Sequence, residues 1–249
     1  MLSRIKLVAA FAAGLIASTS ASAAILYDFT WSDTQSDTVL YGNPVDIGFD
    51  INFFGVNYSD VNIWRYGSVV LSSNTHQAWL SPLHTTFSDP YDNPITYGNL
   101  VYDGRSAFAV SWIDHTHRGG ARTASFQLVL VDRSNTGAGN FDFIFNFDYV
   151  QWADNYTADA YFGYTSDWTA YGYGCWNGCG PFPFDINQLP YNSINSGVAG
   201  RYVFEVRNGV VINPLPVIYT IPEPETWAML LAGLGVVGAV TRRRRISAT

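Results

Sequence analysis

Asn140-Phe141-Asp142-Phe143-Ile144-Phe145-Asn146-Phe147-Asp148-Tyr149-Val150 is the stretch that decides the fold of this chain. Aromatic residues recur in it at every second position. Because successive side chains of a β-strand point to opposite faces, this period of two predicts a strand with one buried face. The predicted buried face carries Phe141, Phe143, Phe145, Phe147 and Tyr149, and the other face carries Asp142, Asn146 and Asp148. It is the deepest hydrophobic stripe in the chain.

Further predicted strands lie on both sides of this stripe. They cover Val45–Phe53, Ser68–Leu71, Ser106–Asp114, Thr123–Val131, Ala158–Tyr164 and Gly200–Val211. A break begins at Phe54-Gly55. Turns are predicted at Tyr66-Gly67 and Asn208-Gly209, and a hairpin loop at 132–139, because glycine and asparagine favour tight turns. The stretch 72–98 is polar and contains three prolines, so we expect a surface excursion there. Many short strands separated by such turns predict an all-β fold, a single antiparallel β-sandwich or barrel-like domain.

The charge is distributed unevenly along the chain. Residues 24–221 contain seven arginines, no lysine and eighteen acidic residues, a net charge of −11, against −7 for the whole chain. Nucleic acid and anionic membrane surfaces bind clustered Lys and Arg, so this composition excludes them as expected partners of the domain. The length of this region suits one well-buried domain.

The N-terminal 23 residues have the features of a secretory signal peptide. Arg4 and Lys6 form a positive region, and the apolar run 7–16 follows it. Small residues then form an A-x-A cleavage site, at Ala21, Ala23 and Ala24. We therefore expect a helical signal peptide over 1–23 that is removed after export.

The C-terminal residues, 222–249, form a second targeting segment in three parts. Pro222-Glu223-Pro224 is a rigid, extended and acidic tripeptide, because proline fixes φ and restrains the residue before it. An apolar segment, 226–241, follows, and we expect it to be a short transmembrane helix; its glycines could alternatively form a helix-packing face. Arg242, Arg243, Arg244 and Arg245 come last and are expected to stay in the cytoplasm.

These three parts, in this order, resemble the PEP-CTERM sorting tail of Gram-negative bacteria that make exopolysaccharide. The resemblance implies that exosortase, a membrane protease, recognises Pro222, Glu223 and Pro224 and processes the tail. It also implies a transient inner-membrane intermediate, followed by delivery to the cell surface or the extracellular matrix.

A second resemblance covers residues 47–167 and is to the nidogen-like (NIDO) extracellular domain. The similar segments are Ile51–Val61 with the following residues to Leu71, Ala109–Asp114 with Arg118, Phe126–Leu130, Phe145–Trp152 and Ala160–Tyr164. One departure is Thr116, which stands where the family has its second Asp. The resemblance implies a non-enzymatic module of cell–matrix adhesion.

The two cysteines are Cys175 and Cys179, in a glycine-rich loop. In an oxidising compartment such a pair is expected to form a disulfide that shapes the loop. A redox pair or half of a zinc site are the alternatives, although no second Cys/His pair matches the spacing.

Two groups of side chains are candidates for binding. In a strand His115 and His117 would share a face, and Asp114 is adjacent, so these three offer a site for a divalent cation; the alternative is a solvated strand end. No other cofactor is expected. The aromatic residues Trp168, Tyr171, Tyr173 and Trp176 are candidate ligand contacts, or else they pack the loop.

These observations predict an exported, non-enzymatic binding or adhesion module. Exopolysaccharide, biofilm material or matrix proteins are its expected partners, besides exosortase. A secreted polysaccharide hydrolase that uses Asp142 and Asp148 as acid and base is one alternative. A metal-dependent lectin is the other.

Overall fold

Antiparallel β-strands make up most of the part of the chain that the structure describes. The structure, a computed structural model, describes residues 43–85, 95–116, 123–151, 160–167, 169–174, 186–214 and 219–220, all within one unit, Ala21–Ile221. The strands are β1 Val45–Phe53, β2 Val56–Trp64, β3 Ser68–Ser72, β4 Gln77–Thr85, β5 Ile95–Tyr102, β6 Arg105–Thr116, β7 Thr123–Asp132, β8 Phe141–Val150, β9 Ala160–Ser166, β10 Thr169–Gly174, β11 Asn192–Ser193, β12 Arg201–Arg207, β13 Val210–Val211 and β14 Tyr219–Thr220. Short 3₁₀ segments cover Ser134–Thr136 and Ile186–Tyr191.

The strands form two six-stranded sheets and one small pair. The first sheet has the order β1-β2-β3-β4-β9-β10, the second has the order β13-β12-β8-β7-β6-β5, and β11 pairs with β14. Every named pair is antiparallel. This arrangement confirms the prediction of an antiparallel all-β fold. The predicted signal helix and transmembrane helix lie outside the described residues.

Strand β2 is divided between two partners. Its residues 56–61 pair with β1, and its residues 62–64 pair with β3. The strand pairing of the β1–β2 hairpin with the rest of the first sheet therefore runs through the last three residues of β2. At the tip of this hairpin two backbone amides reach other turns: Asn52 N–H donates to the Gly139 carbonyl at 2.8 Å, and Phe54 N–H donates to the Gly209 carbonyl at 2.7 Å.

The aromatic stripe of β8 lies in the core between the two sheets. Phe141, Phe143, Phe145 and Phe147 are each fully buried. The Phe53 ring of β1 meets the Phe141 ring edge-on at 5.7 Å, and the Phe162 ring of β9 meets the Phe145 ring at 5.5 Å. Such edge-to-face contacts stabilise the sandwich beyond the burial of area alone.

Tyr149 does not belong to this stripe, contrary to the sequence prediction. Ser125 of β7 is opposite Tyr149, but the next residue, Phe126, is opposite Phe147, so β8 carries one extra residue there. This bulge shifts the alternation by one, because every side chain beyond it changes face. Val150 consequently joins the core, and Tyr149 turns to the outer face.

The predicted surface excursion at 72–98 is also wrong in part. Residues 77–85 form β4, whose side chains from Ala78 to Thr85 are all buried. Pro82 is tolerated because the pairing of β4 with β9 shifts between Ser81 and His84, and proline fits a bulge where no ladder hydrogen bond is needed. Residues 86–94 lie outside the described residues.

The outer face of the second sheet carries a row of hydrogen-bonded polar side chains. Gln127 Nε2 donates to Ser111 Oγ at 2.9 Å, and Asn146 Nδ2 donates to Gln127 Oε1 at 3.2 Å. Arg201 Nε donates to Asn146 Oδ1 at 3.2 Å. The row crosses β6, β7, β8 and β12 in register, which satisfies polar groups that are themselves buried.

Candidate functional site

Two neighbouring bulges determine where the predicted metal ligand Asp114 lies. Besides the bulge in β8, the pairing of β6 with β7 shifts between Trp112 and His115. Asp114 is exposed there and has φ +50°, a left-handed conformation that Asp tolerates better than most residues. Its N–H donates to Ser125 Oγ at 2.9 Å, and the Tyr149 hydroxyl donates to its Oδ1. Bulges thus gather Asp114, Ser125 and Tyr149 on the outer face.

The Asp114–Tyr149 pair is a polar site in which the Tyr149 hydroxyl is the hydrogen-bond donor. Burial raises the pKa of Tyr149, and the hydrogen bond to Asp114 raises it further, whereas hydrogen bonds with Ser125 and Thr123 lower it. The phenol therefore remains protonated at neutral pH and acts as a hydrogen-bond donor. The pair can orient a polar ligand, and no step of acid–base catalysis follows from it.

His115 lies on the opposite face of β6 from Asp114. It is buried, and its ring meets the Phe126 ring edge-on at 5.7 Å, on the core side. The structure thus separates these two predicted metal ligands, and His117 lies outside the described residues. Among the residues that the structure describes, no three His, Cys, Asp or Glu side chains converge as metal ligands would.

Tyr171, a predicted ligand contact, lies on β10 at the edge of the first sheet. The residue is 40% exposed. It stacks on the Tyr164 ring at 5.2 Å with an interplanar angle of 14°, and on the Phe54 ring at 5.4 Å with an angle of 20°. We name Phe54, Tyr164 and Tyr171 the edge aromatic cluster. Only the backbone of Tyr173 is described, within the same strand.

Phe54 reaches this cluster from an unusual backbone conformation. Phe54 and Gly55 form the two-residue turn between β1 and β2, with φ +51° and +83°. Positive φ at both positions defines a type I′ turn, which favours Asn-Gly or Asp-Gly. Two other hairpins of this chain follow that preference, at Asp103-Gly104 and Asn208-Gly209. A phenylalanine in this position is a conformational outlier that its ring contacts hold in place.

Asp142, named above as a candidate acid or base, is fixed by two arginines. Arg133 Nε lies 2.5 Å from its Oδ2, and Arg207 Nη1 lies 2.7 Å from its Oδ1. Its side chain is only 6% exposed. Both oxygens are therefore engaged within the fold, which is a structural role for a carboxylate. Asp148 is half-buried on the same strand.

A buried polar chain on the outer face of the first sheet was missed by sequence reasoning. The Ser68 hydroxyl lies 2.8 Å from the Ser81 hydroxyl and 2.8 Å from His84 Nδ1. Trp79 and Tyr66 meet the His84 ring at 6.0 and 6.2 Å. Burial lowers the pKa of His84 to about 4, so the imidazole is neutral at neutral pH. The bulge between Ser81 and His84 hides the strand period that would have revealed this chain.

The remaining predicted sites lie outside the described residues. They are Cys175 and Cys179, Trp168 and Trp176, the cleavage site at Ala21, Ala23 and Ala24, the Pro222-Glu223-Pro224 box and the cluster Arg242–Arg245. Within the described ranges, no helix has the length and hydropathy of a membrane span. The predicted transmembrane segment, 226–241, is outside those ranges.

Comparison with known proteins identifies the C-terminal segment. Residues 220–245 match the family model described as the PEP-CTERM protein-sorting motif. No curated protein and no solved structure gives a significant match to this chain. Nothing in these comparisons supports the nidogen-like resemblance, which stays a hypothesis. The matched motif indicates an exported protein that exosortase sorts and that is processed at the membrane.

Proposed function

We propose that this chain is a non-enzymatic binding module, delivered by exosortase to the cell surface or the extracellular matrix, where it associates with exopolysaccharide. The single observation that carries the proposal is the PEP-CTERM motif at 220–245, which indicates export. An exported protein that is cut from its membrane tail meets the polymers outside the cell, so association with them is the function that its destination favours.

The described residues support binding in preference to hydrolysis. Asp142, one of the two carboxylates of the alternative hydrolase, has both oxygens held by arginines. An acid–base pair for glycoside hydrolysis needs carboxylates that face the scissile bond. The edge aromatic cluster, in contrast, presents a partly exposed ring, which suits contact with a ligand.

Sorting is tested by replacing Pro222, Glu223 and Pro224 together with alanine in the native host. We expect the variant to remain full-length in the membrane fraction, because the protease loses its recognition site, whereas the wild-type protein appears in a shorter form outside. Immunoblots of cell fractions measure this. Arg242→Lys serves as the matched control, since it keeps the charge of the arginine cluster. Equal release of the triple variant and the wild type would contradict the proposal.

Binding is tested by incubating the full chain, purified in detergent, with exopolysaccharide from the same host. We expect saturable co-sedimentation and no new reducing ends over a day, because no bond of the polymer is cleaved. Release of reducing sugars that Asp142→Asn and Asp148→Asn abolish would favour the hydrolase. Absence of both binding and turnover would refute association with this polymer.

A further inference from the structure

We propose that the outward face of the Tyr171 ring is a stacking platform for an uncharged sugar ring of a polysaccharide, with the hydroxyls of Thr169 and Ser166 beside it. This inference rests on the proposed function, which it deepens by naming the site and the ligand class. Tyr171 is a large aromatic side chain that the fold leaves 40% exposed at the edge of a sheet.

The ring distances show which face of Tyr171 is open. Phe54 and Tyr164 both stack on Tyr171, and their own ring centroids are 6.3 Å apart. Rings stacked on opposite faces of Tyr171 would be separated by two contact distances, about 7 Å or more. The two neighbours therefore lie on the same side of the Tyr171 ring. Its other face is therefore covered by neither of them.

We attribute the strained turn at Phe54 to the need to hold the Tyr171 ring in one orientation. The two-residue turn would be more favourable with Asn or Asp in place of Phe54, as in the type I′ turns at Asp103-Gly104 and Asn208-Gly209. The Phe54 ring packs against the covered face of the Tyr171 ring, and the Phe54 N–H donates to the Gly209 carbonyl. Strain of this kind is typical of residues that pre-organise a binding site.

Hydroxyl groups adjoin the platform on the same face of the sheet. Tyr171 is opposite Tyr164, and Thr169 is opposite Ser166, two residues further along both strands. Residues two apart in a strand share a face and are separated by about 7 Å. Thr169 is exposed and Ser166 half-buried. An aromatic face with neighbouring hydroxyls matches a sugar, whose ring has apolar C–H faces and polar edges.

The charge of the domain selects against acidic polysaccharides. Residues 24–221 carry a net charge of −11, and Asp167 lies between Ser166 and the start of β10. Repulsion between like charges penalises a uronic-acid polymer at this edge. We therefore assign a neutral polysaccharide, such as a glucan.

The test measures binding of the full chain, in detergent, to fluorescein-labelled laminarin, a neutral glucan, and to labelled alginate, an anionic polymer. We expect wild type to bind laminarin and not alginate. Tyr171→Ala should weaken laminarin binding about ten-fold, since an aromatic stack is lost. Tyr171→Leu keeps apolar bulk in the strand and should weaken binding to a similar extent. The matched control is Tyr191→Ala, which removes another exposed tyrosine, 51% exposed, on the segment Ile186–Tyr191.

Each outcome separates this inference from the proposed function. Wild-type affinity for laminarin in both Tyr171 variants would overturn the platform and leave binding of polysaccharide standing. Preference for alginate over laminarin would overturn the neutral ligand class. Failure of the wild type to bind host exopolysaccharide as well as laminarin would overturn the proposed function itself.

Discussion

His84 shows at the scale of a single residue how burial controls protonation. Its imidazole is buried beside Ser68, and burial lowers its pKa from 6.5 to about 4. The unfolded chain therefore binds a proton between these pH values that the folded chain does not bind. The contribution of neutral His84 to the free energy of unfolding is fully present above pH 6.5 and is lost as the pH falls towards 4.

Acid unfolding provides the corresponding measurement. Between pH 7 and pH 4 we expect the free energy of unfolding to fall by about 3 kcal/mol through His84, as its pKa shift implies. His84→Gln should flatten this dependence, whatever its effect at pH 7, because glutamine does not titrate. Denaturant unfolding at a series of pH values measures the slope.

His76 is the control residue for this experiment. Its Nδ1 lies 2.6 Å from Asp167 Oδ2, and both side chains are about half exposed. The hydrogen bond from His76 lowers the pKa of Asp167 below 3.8, so stability from this carboxylate is lost only as the pH falls below that value. His76→Gln keeps the buried His84, so the fall in the free energy of unfolding towards pH 4 should persist in this variant. An unchanged slope in His84→Gln would refute the role of His84.

At the scale of the element, two facing glycines determine how β9 meets β10. Gly163 is opposite Gly172, and the Tyr161 hydroxyl lies close to both while donating to the Tyr164 carbonyl at 2.8 Å. A Cβ on Gly163 would stand 2.4 Å from the Tyr171 carbonyl oxygen. Since that neighbour is backbone, the strand itself would have to move.

Gly163→Ala should destabilise the domain by about 2–4 kcal/mol, because it combines a positive φ with a backbone clash. It should also weaken laminarin binding, since it displaces the strand that carries Tyr171. Gly104→Ala is the matched control: its φ is +71°, but nothing lies within 4 Å of the added Cβ, so about 1 kcal/mol is expected. Thermal unfolding compares the two. Equal losses would show that conformational strain alone accounts for Gly163.

The elements also show where sequence reasoning succeeds and where it stops. The alternation of side chains and the turn residues were sufficient to predict β1, β7 and the Asn208-Gly209 turn. The alternation of side chains in the sequence does not predict the bulges in β4, β6 and β8, because a bulge depends on the pairing with the partner strand. These bulges account for the mistaken face of Tyr149, for the missed Ser68–Ser81–His84 chain and for the fact that His115, rather than Asp114, lies on the core side.

At the scale of the whole molecule, the antiparallel all-β character could be predicted from the sequence, but the strand order could not. The composition and the spacing of the turns predict packed antiparallel sheets, with the Phe141–Phe147 stripe in the core. Which strand pairs with which depends on contacts between distant residues, such as Phe53 with Phe141 and Phe143. Nothing in the local pattern of β2 indicates that it changes partner at residue 62. The Phe54 ring at the tip of this hairpin packs on Tyr164 of β9 and Tyr171 of β10, a contact that no local pattern predicts.

The hydrogen bonds at the tip of β1 have a consequence for aggregation. Lateral strands are where amyloid-like assembly starts, since their unused amides recruit a second polypeptide. At this corner the Asn52 and Phe54 amides already have acceptors in the same molecule, the carbonyls of Gly139 and Gly209. A second copy of the chain therefore finds no free amide at these two positions, which disfavours fibril growth from this corner.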